Sequence, residues 1–336
     1  MYTSLELCAG AGGQALGLHH AGFKHIALID NDAPACATLR LNNAEHRLGW
    51  GDIIEEDLNT FAANGVSSYS GKIDLVAGGV PCPPFSKAGK QLGQDDERDL
   101  FPAAITIVAK TKPKAVLIEN VSGLLDAKFA EYRKLIDLKF SELGYKTTWN
   151  LLNASDFGVP QLRPRVNLVA LLPEYFDEFH WPQPNLTPAP TVGEVLYDLM
   201  AIDGWEGADE WKAKANTIAP TLVGGSKKHG GPDLGPTRAK RQWQSLYVNG
   251  HLIGNAPPGK GYIGVREGYE NMPHLTVRMA ARIQGFPDWW QFSGKKTSSY
   301  RQVGNAFPPP VAQAVGQQIY KALLTVDQRI STTKVA

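Results

Sequence analysis

An α/β fold built on a parallel sheet, followed by a smaller, loop-rich second domain, is what this sequence predicts, and three observations predict it. Over the first 172 residues, short apolar runs alternate with stretches of helical periodicity, the pattern of strands joined by crossover helices. The first of those runs passes straight into C-A-G-A-G-G-Q-A-L-G at 8–17, a glycine-rich turn between strand and helix. From Trp181 onward proline, glycine and tryptophan become frequent and the periodicity fades.

Taken in chain order, a strand at 4–7 leads through that turn to a helix at 14–21, and a strand at 25–29 to a helix at 33–42. Asp52, in G-D-I, is expected where a further strand ends. A strand at 73–77 precedes a helix at 99–110, and one at 115–119 precedes a helix at 128–143. Strands at 146–152 and 167–171 close the series. At the far end 311–324 is an amphipathic helix introduced by three prolines, which suit a helix start. The expected division is therefore 1–180 with 296–336 as one domain, completed by the last helix, and 181–295 as the other.

The totals describe a water-soluble globular chain: 336 residues, 43% hydrophobic and 20% charged. No run approaches the length of a membrane span, and the start lacks a basic stretch followed by an apolar one. Three cysteines, Cys8, Cys36 and Cys82, have neither the number nor the spacing of a disulfide framework or a zinc site. A reducing cytoplasmic setting and no metal are expected. The net charge of +1 conceals an asymmetry, because 211–260 carries eight Lys or Arg against the single acid Asp233. Such an excess suits a phosphate-facing surface, although a solvated basic loop would look the same.

Four features carry chemistry. In the glycine turn, the backbone lets a ligand approach closely and helix-start amides favour anionic groups. Asp30, at the end of the second strand, is placed to accept hydrogen bonds from a ribose. On these residues alone a nicotinamide, flavin or S-adenosylmethionine ligand remains open. The second feature is G-V-P-C-P-P-F-S at 79–86, where three prolines hold the Cys82 thiol on a segment unable to join a sheet, as a nucleophile would be mounted. Third, Glu119 ends an apolar strand, where desolvation raises a carboxyl pKa and makes it a candidate proton donor. Fourth, Q-L-R-P-R at 161–165 places Arg163 and Arg165 on one side of an extended segment, able to hold a phosphate or a carbonyl oxygen. An inert thiol, a salt-bridged glutamate and a surface arginine pair are the ordinary alternatives, each about as common as the functional reading. Their order on adjacent strands favours chemistry.

With these motifs the sequence resembles the DNA (cytosine-5)-methyltransferase family of prokaryotic restriction–modification systems. The glycine turn is similar to its cofactor motif, V-P-C-P-P-F-S-K-A-G-K (80–90) to its nucleophile motif, E-N-V (119–121) to its acid motif and Q-L-R-P-R to its paired-arginine motif. H-L-T-V-R-M-A-A-R-I-Q-G-F-P-D (274–288) resembles the segment that organises the recognition domain, and R-Q-V-G-N-A-F-P-P-P-V-A (301–312) the last motif. The likeness runs in order from residue 5 to about residue 324.

The resemblance implies a class I S-adenosylmethionine-dependent methyltransferase, Rossmann-like with a mixed seven-stranded sheet, plus a smaller target-recognition domain. Cys82, as thiolate, would add to carbon 6 of a cytosine flipped out of duplex DNA, turning carbon 5 into a nucleophile. Glu119 would contact ring nitrogen 3 and the exocyclic amine, Arg165 the carbonyl oxygen, and Arg163 would stand near the phosphate and thiolate. The cofactor's methionine part would lie along Ala9, Gly10, Ala11, Gly12 and Gly13, its ribose on Asp30 and Asn31, and its adenine edge on Asp52 and Ile53, with Cys8 also at the cofactor. Gly79, Pro81, Leu100 and Asn305 would line the remainder. Ser86 and Lys90 belong to the stretch (86–99) that resembles the family's DNA-closing loop. Within the recognition region, Thr221 begins a Thr-Leu doublet, and Lys227, Lys228, Arg238 and Arg241 are the expected DNA contacts. Two positions depart from the family pattern: Cys8 stands where phenylalanine often packs on the adenine, and Pro83 where glutamine often follows the nucleophile.

The implied partner is double-stranded DNA bearing a specific site, with a cognate restriction endonuclease acting separately; a nucleoid-associated monomer in a prokaryotic cytoplasm is expected. A nicotinamide-dependent oxidoreductase would leave Cys82, Glu119 and the arginines unexplained, and a non-enzymatic DNA-binding regulator would have no use for the nucleophile. An RNA cytosine-5 methyltransferase of the same superfamily is the remaining alternative; the large basic second region argues for duplex DNA instead.

Overall fold

The computed structural model describes residues 1–81, 99–225, 231 and 233–333. Seven strands form one sheet: β1 (Thr3–Leu7), β2 (Lys24–Asp30), β3 (Asp52–Glu55), β4 (Leu75–Gly78), β5 (Ala115–Val121), β6 (Lys146–Asn153) and β7 (Pro164–Leu171), in the order β3-β2-β1-β4-β5-β7-β6. The first five are mutually parallel, and β7 runs antiparallel between β5 and β6. This is the mixed seven-stranded arrangement of the class I methyltransferase fold. Six strands match the sequence expectation to within a few residues; β3 was anticipated only as a strand end.

Register brings the carboxyl ends of the parallel strands to one rim. Leu7 pairs with Ile29 on one side and Gly78 on the other, Gly78 pairs with Ile118, and Asp30 pairs with Glu55. In open α/β sheets this rim is where ligands bind, because strand-to-helix loops converge there.

The helices that follow are α1 (Gly13–His20), α2 (Ala33–Glu45), α3 (Phe101–Thr111), α4 (Ala130–Glu142), α5 (Val192–Ala201), α6 (Ala208–Lys214), α7 (Thr237–Gln244), α8 (Val277–Ile283), α9 (Lys296–Asn305) and α10 (Pro309–Thr333). Alternating strand residues bury opposite faces of the sheet. Leu5, Leu7, Val76 and Val116 pack with Phe101 and Ile107 of α3 and Phe140 of α4. Leu75, Ala77, Leu117 and Val169 pack with Val311, Val315 and Ile319 of α10. Helix α10 begins within the proline run, whose missing amides cost nothing at a helix start, and extends beyond the expected residue 324. Helix α5 starts with a reciprocal cap, in which the Glu194 amide donates to Thr191 Oγ1 at 3.2 Å and the Thr191 amide donates to Glu194 Oε2 at 2.7 Å.

The third core cluster crosses the expected boundary at residue 181. Leu16 of α1, Leu28 of β2, Leu39 of α2 and Trp50 are buried in one group with Leu196, Trp211, Trp243 and Trp290. The indoles of Trp50 and Trp290 lie 5.9 Å apart between ring centres. The loop-rich region therefore shares its core with the first helices of the sheet domain.

Candidate functional site

The turn after β1 is shaped by backbone conformations that side chains resist. Cys8 and Gly10 have φ of 50° and 54°, and Gly12 has φ of 83° immediately before α1. The Ala9 amide donates to Ile29 O (2.9 Å) and the Gly12 amide to Ala9 O (2.9 Å), which closes the loop tightly. The Gly10 amide donates to Asp30 Oδ2 at 2.7 Å and the Asp32 amide to Asp30 Oδ1 at 2.8 Å, so two main-chain donors fix that carboxylate at the rim. A Cβ on Gly10 would meet nothing within 4 Å, so the turn leaves open space in front of it.

That space is a cleft of about 530 Å³, walled by Cys8, Ala9, Gly10, Ala11 and Gly13 on the turn, Asp30 on β2, Gly79 and Pro81 after β4, Glu119 on β5 and Asn305 on α9. A smaller recess of about 120 Å³ continues from it between Cys8, Asp30, Asn31, Glu56, Leu58, Pro81 and Leu100. Gly12 sits behind the turn, where a Cβ would come 2.7 Å from Leu39. The size and the mixture of apolar wall, amides and carboxylates suit a nucleoside-bearing ligand.

Two expected cofactor residues lie elsewhere. β3 runs parallel to β2, so its carboxyl end is Glu55, and Asp52 starts the strand at the opposite end from the cleft. Asp52 instead accepts a hydrogen bond from the Tyr69 hydroxyl at 3.1 Å, and the Ile53 carbonyl accepts one from Arg40 at 3.0 Å. Glu56 and Leu58 take their place in the recess. The missed signal was D-L-N-T at 57–60: Asp57 caps the one-turn helix Leu58–Thr60 by accepting from the Asn59 amide at 2.9 Å, which marks the strand as already ended.

At the reacting end, Glu119 of β5 lies opposite Asn167 of β7, two residues from where Val121 pairs with Arg165. Because β7 is antiparallel, its first residues reach the same rim as the last residues of β5. Arg165 Nε meets Glu119 Oε1 at 2.8 Å, with side chains only 15% and 12% exposed. Burial pushes the Glu119 carboxyl above its usual range, against the opposing pull of the Arg165 and Arg163 cations. Glu119 also stands beside the segment that leads to Cys82, since a Cβ on Gly79 would lie 3.3 Å from its Oε2. Cys82, Ser86 and Lys90 lie outside the described residues. The segment on which Cys82 is mounted is nonetheless anchored at its start: Asn120 Nδ2 donates to Val80 O at 2.9 Å, and the Leu100 amide to Pro81 O at 3.2 Å. Asn120 was read only as part of a motif; its positioning contact was not legible in the sequence.

Arg163 differs from expectation. It precedes β7 rather than lying in it, so the strand alternation invoked for the pair does not apply. Its side chain is 1% exposed. The guanidinium donates to Leu222 O at 2.9 Å, Gly304 O at 2.9 Å and Ala306 O at 3.0 Å. It is a brace between three chain segments, turned away from any surface where DNA could touch it. Gln161 works beside it: its amide nitrogen donates to Gln284 Oε1 at 2.7 Å, and its carbonyl oxygen accepts from the Leu222 amide at 2.8 Å. Together they press 222–225 against α9, where a Cβ on Gly304 would come 2.5 Å from the Gly224 amide nitrogen.

Of the expected DNA contacts, Thr221 donates its hydroxyl to Leu162 O at 2.5 Å, and Arg238 and Arg241 are exposed on α7. Lys227 and Lys228 lie outside the described residues.

Residues 2–321 match the family model described as C-5 cytosine-specific DNA methylase. The chain is 54% identical over 331 residues to the type II methyltransferase M.NgoMIV of Neisseria gonorrhoeae, covering 96% of this chain and 98% of that one. It is 54% identical over 321 residues to the type II methyltransferase M.NaeI of Lentzea aerocolonigenes, covering 95% and 75% respectively. Among solved structures, the Entamoeba histolytica methyltransferase EhMeth superposes with a TM-score of 0.65 at 15% identity over 96% of this chain and 99% of that one. The S. pombe Dnmt2 methyltransferase gives 0.60 at 17% over 97% and 99%; at these identities the likeness is one of fold.

Proposed function

The chain belongs to the C-5 cytosine-specific DNA methylase family and is a DNA cytosine-5 methyltransferase; from this we propose that it modifies one cytosine within a specific short sequence of double-stranded DNA, beside a separately acting endonuclease. The observation that carries the reading is the Glu119–Arg165 pair, set on the same rim as the glycine turn, with Glu119 lining the cleft.

S-adenosylmethionine, when bound, supplies the methyl group. The residues present fit it: the open front of Gly10, the amide-fixed carboxylate of Asp30 and the recess bounded by Leu58 and Leu100 match a methionine chain, a ribose and an adenine in that order. Gly79, Pro81 and Asn305 would close the remaining sides. On the other side of the cleft Arg165 fixes Glu119 through one carboxylate oxygen, which leaves the second directed toward Gly79, three residues before Cys82 in sequence. In this reading the Cys82 thiolate forms a bond to carbon 6 of the flipped cytosine. Glu119, whose carboxyl pKa is pushed upward by burial, donates to ring nitrogen 3, so the electron pair displaced from the carbon 5–carbon 6 bond becomes available at carbon 5. After transfer, solvent takes up the carbon 5 proton as the thiolate leaves, and ring nitrogen 3 returns its proton to Glu119. Arg163 supports this indirectly, by holding the walls rather than the base.

Two further readings belong to the proposal: that the enzyme acts as a monomer, and that it works in the cytoplasm on the cell's own DNA. No helix among the described residues is long and apolar enough to cross a membrane. The match at 54% identity to a type II methyltransferase favours DNA over the RNA alternative.

The test is base-resolution conversion sequencing of DNA from cells expressing the chain, beside Cys82→Ser. Methylated cytosines confined to one short motif and absent with the variant are expected. Methylation that persists in Cys82→Ser would remove the covalent step from the reading; none in either, from soluble protein, would overturn the DNA substrate.

A further inference from the structure

Helix α7 (Thr237–Gln244) presents an unusual face. Trp243 is fully buried and pins the helix to the core, while Arg238, Arg241 and Gln242 stand exposed. Arg238 and Gln242 are one turn apart, so they share a face. They form one wall of a groove of about 460 Å³ whose other wall is Leu162, Pro164, Thr221 and Val223. Pro164 is the residue before Arg165, and Gly225, two residues beyond Val223, lines the cofactor cleft. Two chain segments that wall the groove thus continue within one or two residues into the reactive pair and the cleft.

Cations on this helix are not equivalent. Lys240 is committed to Asp233 at 2.8 Å. Among the described residues, neither Arg238 nor Arg241 has its guanidinium in an ion pair or hydrogen bond, and of the two only Arg238 lines the groove. An unpaired guanidinium beside a neutral amide, on a rigid helix next to a base-modifying centre, suits the major groove of DNA, which admits a helix and presents guanine's paired acceptors. An arginine outside the groove wall suits phosphate instead.

We propose that Arg238 determines target specificity by reading a guanine of the recognition sequence from the major groove, with Gln242 on the next turn beside it, and that Arg241 contributes a phosphate contact. The proposal rests on the DNA-methyltransferase reading and goes further by assigning the reading element.

The experiment uses the full chain and a pool of duplexes randomised around a cytosine, scored both for sequences bound and for sequences methylated. Wild type should enrich one motif. Arg238→Ala should flatten the preference for guanine at one position by roughly tenfold to a hundredfold while other positions keep theirs. Arg238→Lys should retain part of it, because an ammonium reaches guanine without the bidentate fork. Arg241→Ala should weaken all sequences alike and lower the salt dependence of binding by about one ion. Uniform weakening in Arg238→Ala, or an unchanged motif, overturns the assignment. If wild type neither enriches a motif nor methylates, the methyltransferase reading itself fails, before any variant is compared. Arg238 is exposed, so an unchanged melting temperature will show that its variants fold.

Discussion

Glu119 is held between two opposing influences, burial that favours the neutral acid and Arg165 that favours the anion. In the proposed role Glu119 donates to ring nitrogen 3 and must carry a proton, so its share of the rate is present below its raised pKa and falls as pH rises through it. Glu119→Gln keeps the shape and a hydrogen-bond donor but transfers no proton. Single-turnover methylation should fall by roughly 10²–10⁴-fold with DNA binding retained, and the alkaline decline should vanish; a variant keeping that decline would place the titrating group elsewhere. Glu6 offers a second test. On β1 beneath the glycine turn it is fully buried, neither carboxylate oxygen has a partner among the described residues, and desolvation pushes its pKa well above the usual range. A raised carboxyl pKa stabilises the fold at pH below the unfolded value and costs stability as pH climbs toward the folded one. Glu6→Gln should therefore melt higher than wild type at pH 8, with the gap closing toward pH 4; a constant gap would deny the titration. Both acids were visible as residues in the sequence, yet only Glu119 was read for chemistry. Arg163 shows the limit: alternation paired it with Arg165, but whether a strand begins before or after it depends on Leu222 and Gly304, which are remote in sequence.

Helix α9 and the segment 222–225 meet backbone to backbone. The Gly304–Gly224 approach leaves no room for a methyl group, and Asn305 Nδ2 donates to Gly225 O at 3.1 Å from the cofactor side of the same junction. Gly304→Ala should cost about 1–3 kcal/mol, read as a lower denaturation midpoint, because the atom it meets is main chain and cannot swing aside. S-adenosylmethionine affinity should fall with it, since Asn305 and Gly225 both line the cleft. Loss of stability with unchanged affinity, measured by calorimetry, would separate the junction from the site. At this scale the sequence was informative wherever an element's own pattern decided it. The apolar runs of β1, β2 and β5 and the periodicity of α4 were each legible to within a few residues. β3 was not, because four residues flanked by acids at both ends, Asp52 and Glu55 with Glu56 and Asp57 beyond, offer two equally good strand termini. Which one reaches the rim is decided by pairing with β2, a contact that no local pattern carries.

For the molecule as a whole, the core that links α1, β2 and α2 to the tryptophans of the second region changes what the boundary at residue 181 means. Composition does shift there, but burial does not stop. Leu16, Leu28, Leu39 and Trp50 belong to one buried cluster with that region; at about 1.5–3 kcal/mol for each such side chain, full exposure of all four would cost roughly 6–12 kcal/mol. That is the size of a whole domain's stability, about 5–15 kcal/mol, so the sheet domain should not stand folded without its partner. Calorimetry of the intact chain should therefore show one transition, with van't Hoff and calorimetric enthalpies in agreement. The cleft draws its walls from both sides of the expected boundary, Gly10 and Asp30 on one and Gly225 on the other. A cofactor product such as S-adenosylhomocysteine, present at a hundredfold over its dissociation constant, should consequently raise that single transition by about 2.7 kcal/mol in stability. Two resolved transitions, only one of them moved by the ligand, would mean that the shared core is too weak to join the regions and that the cleft is assembled by docking after each has folded.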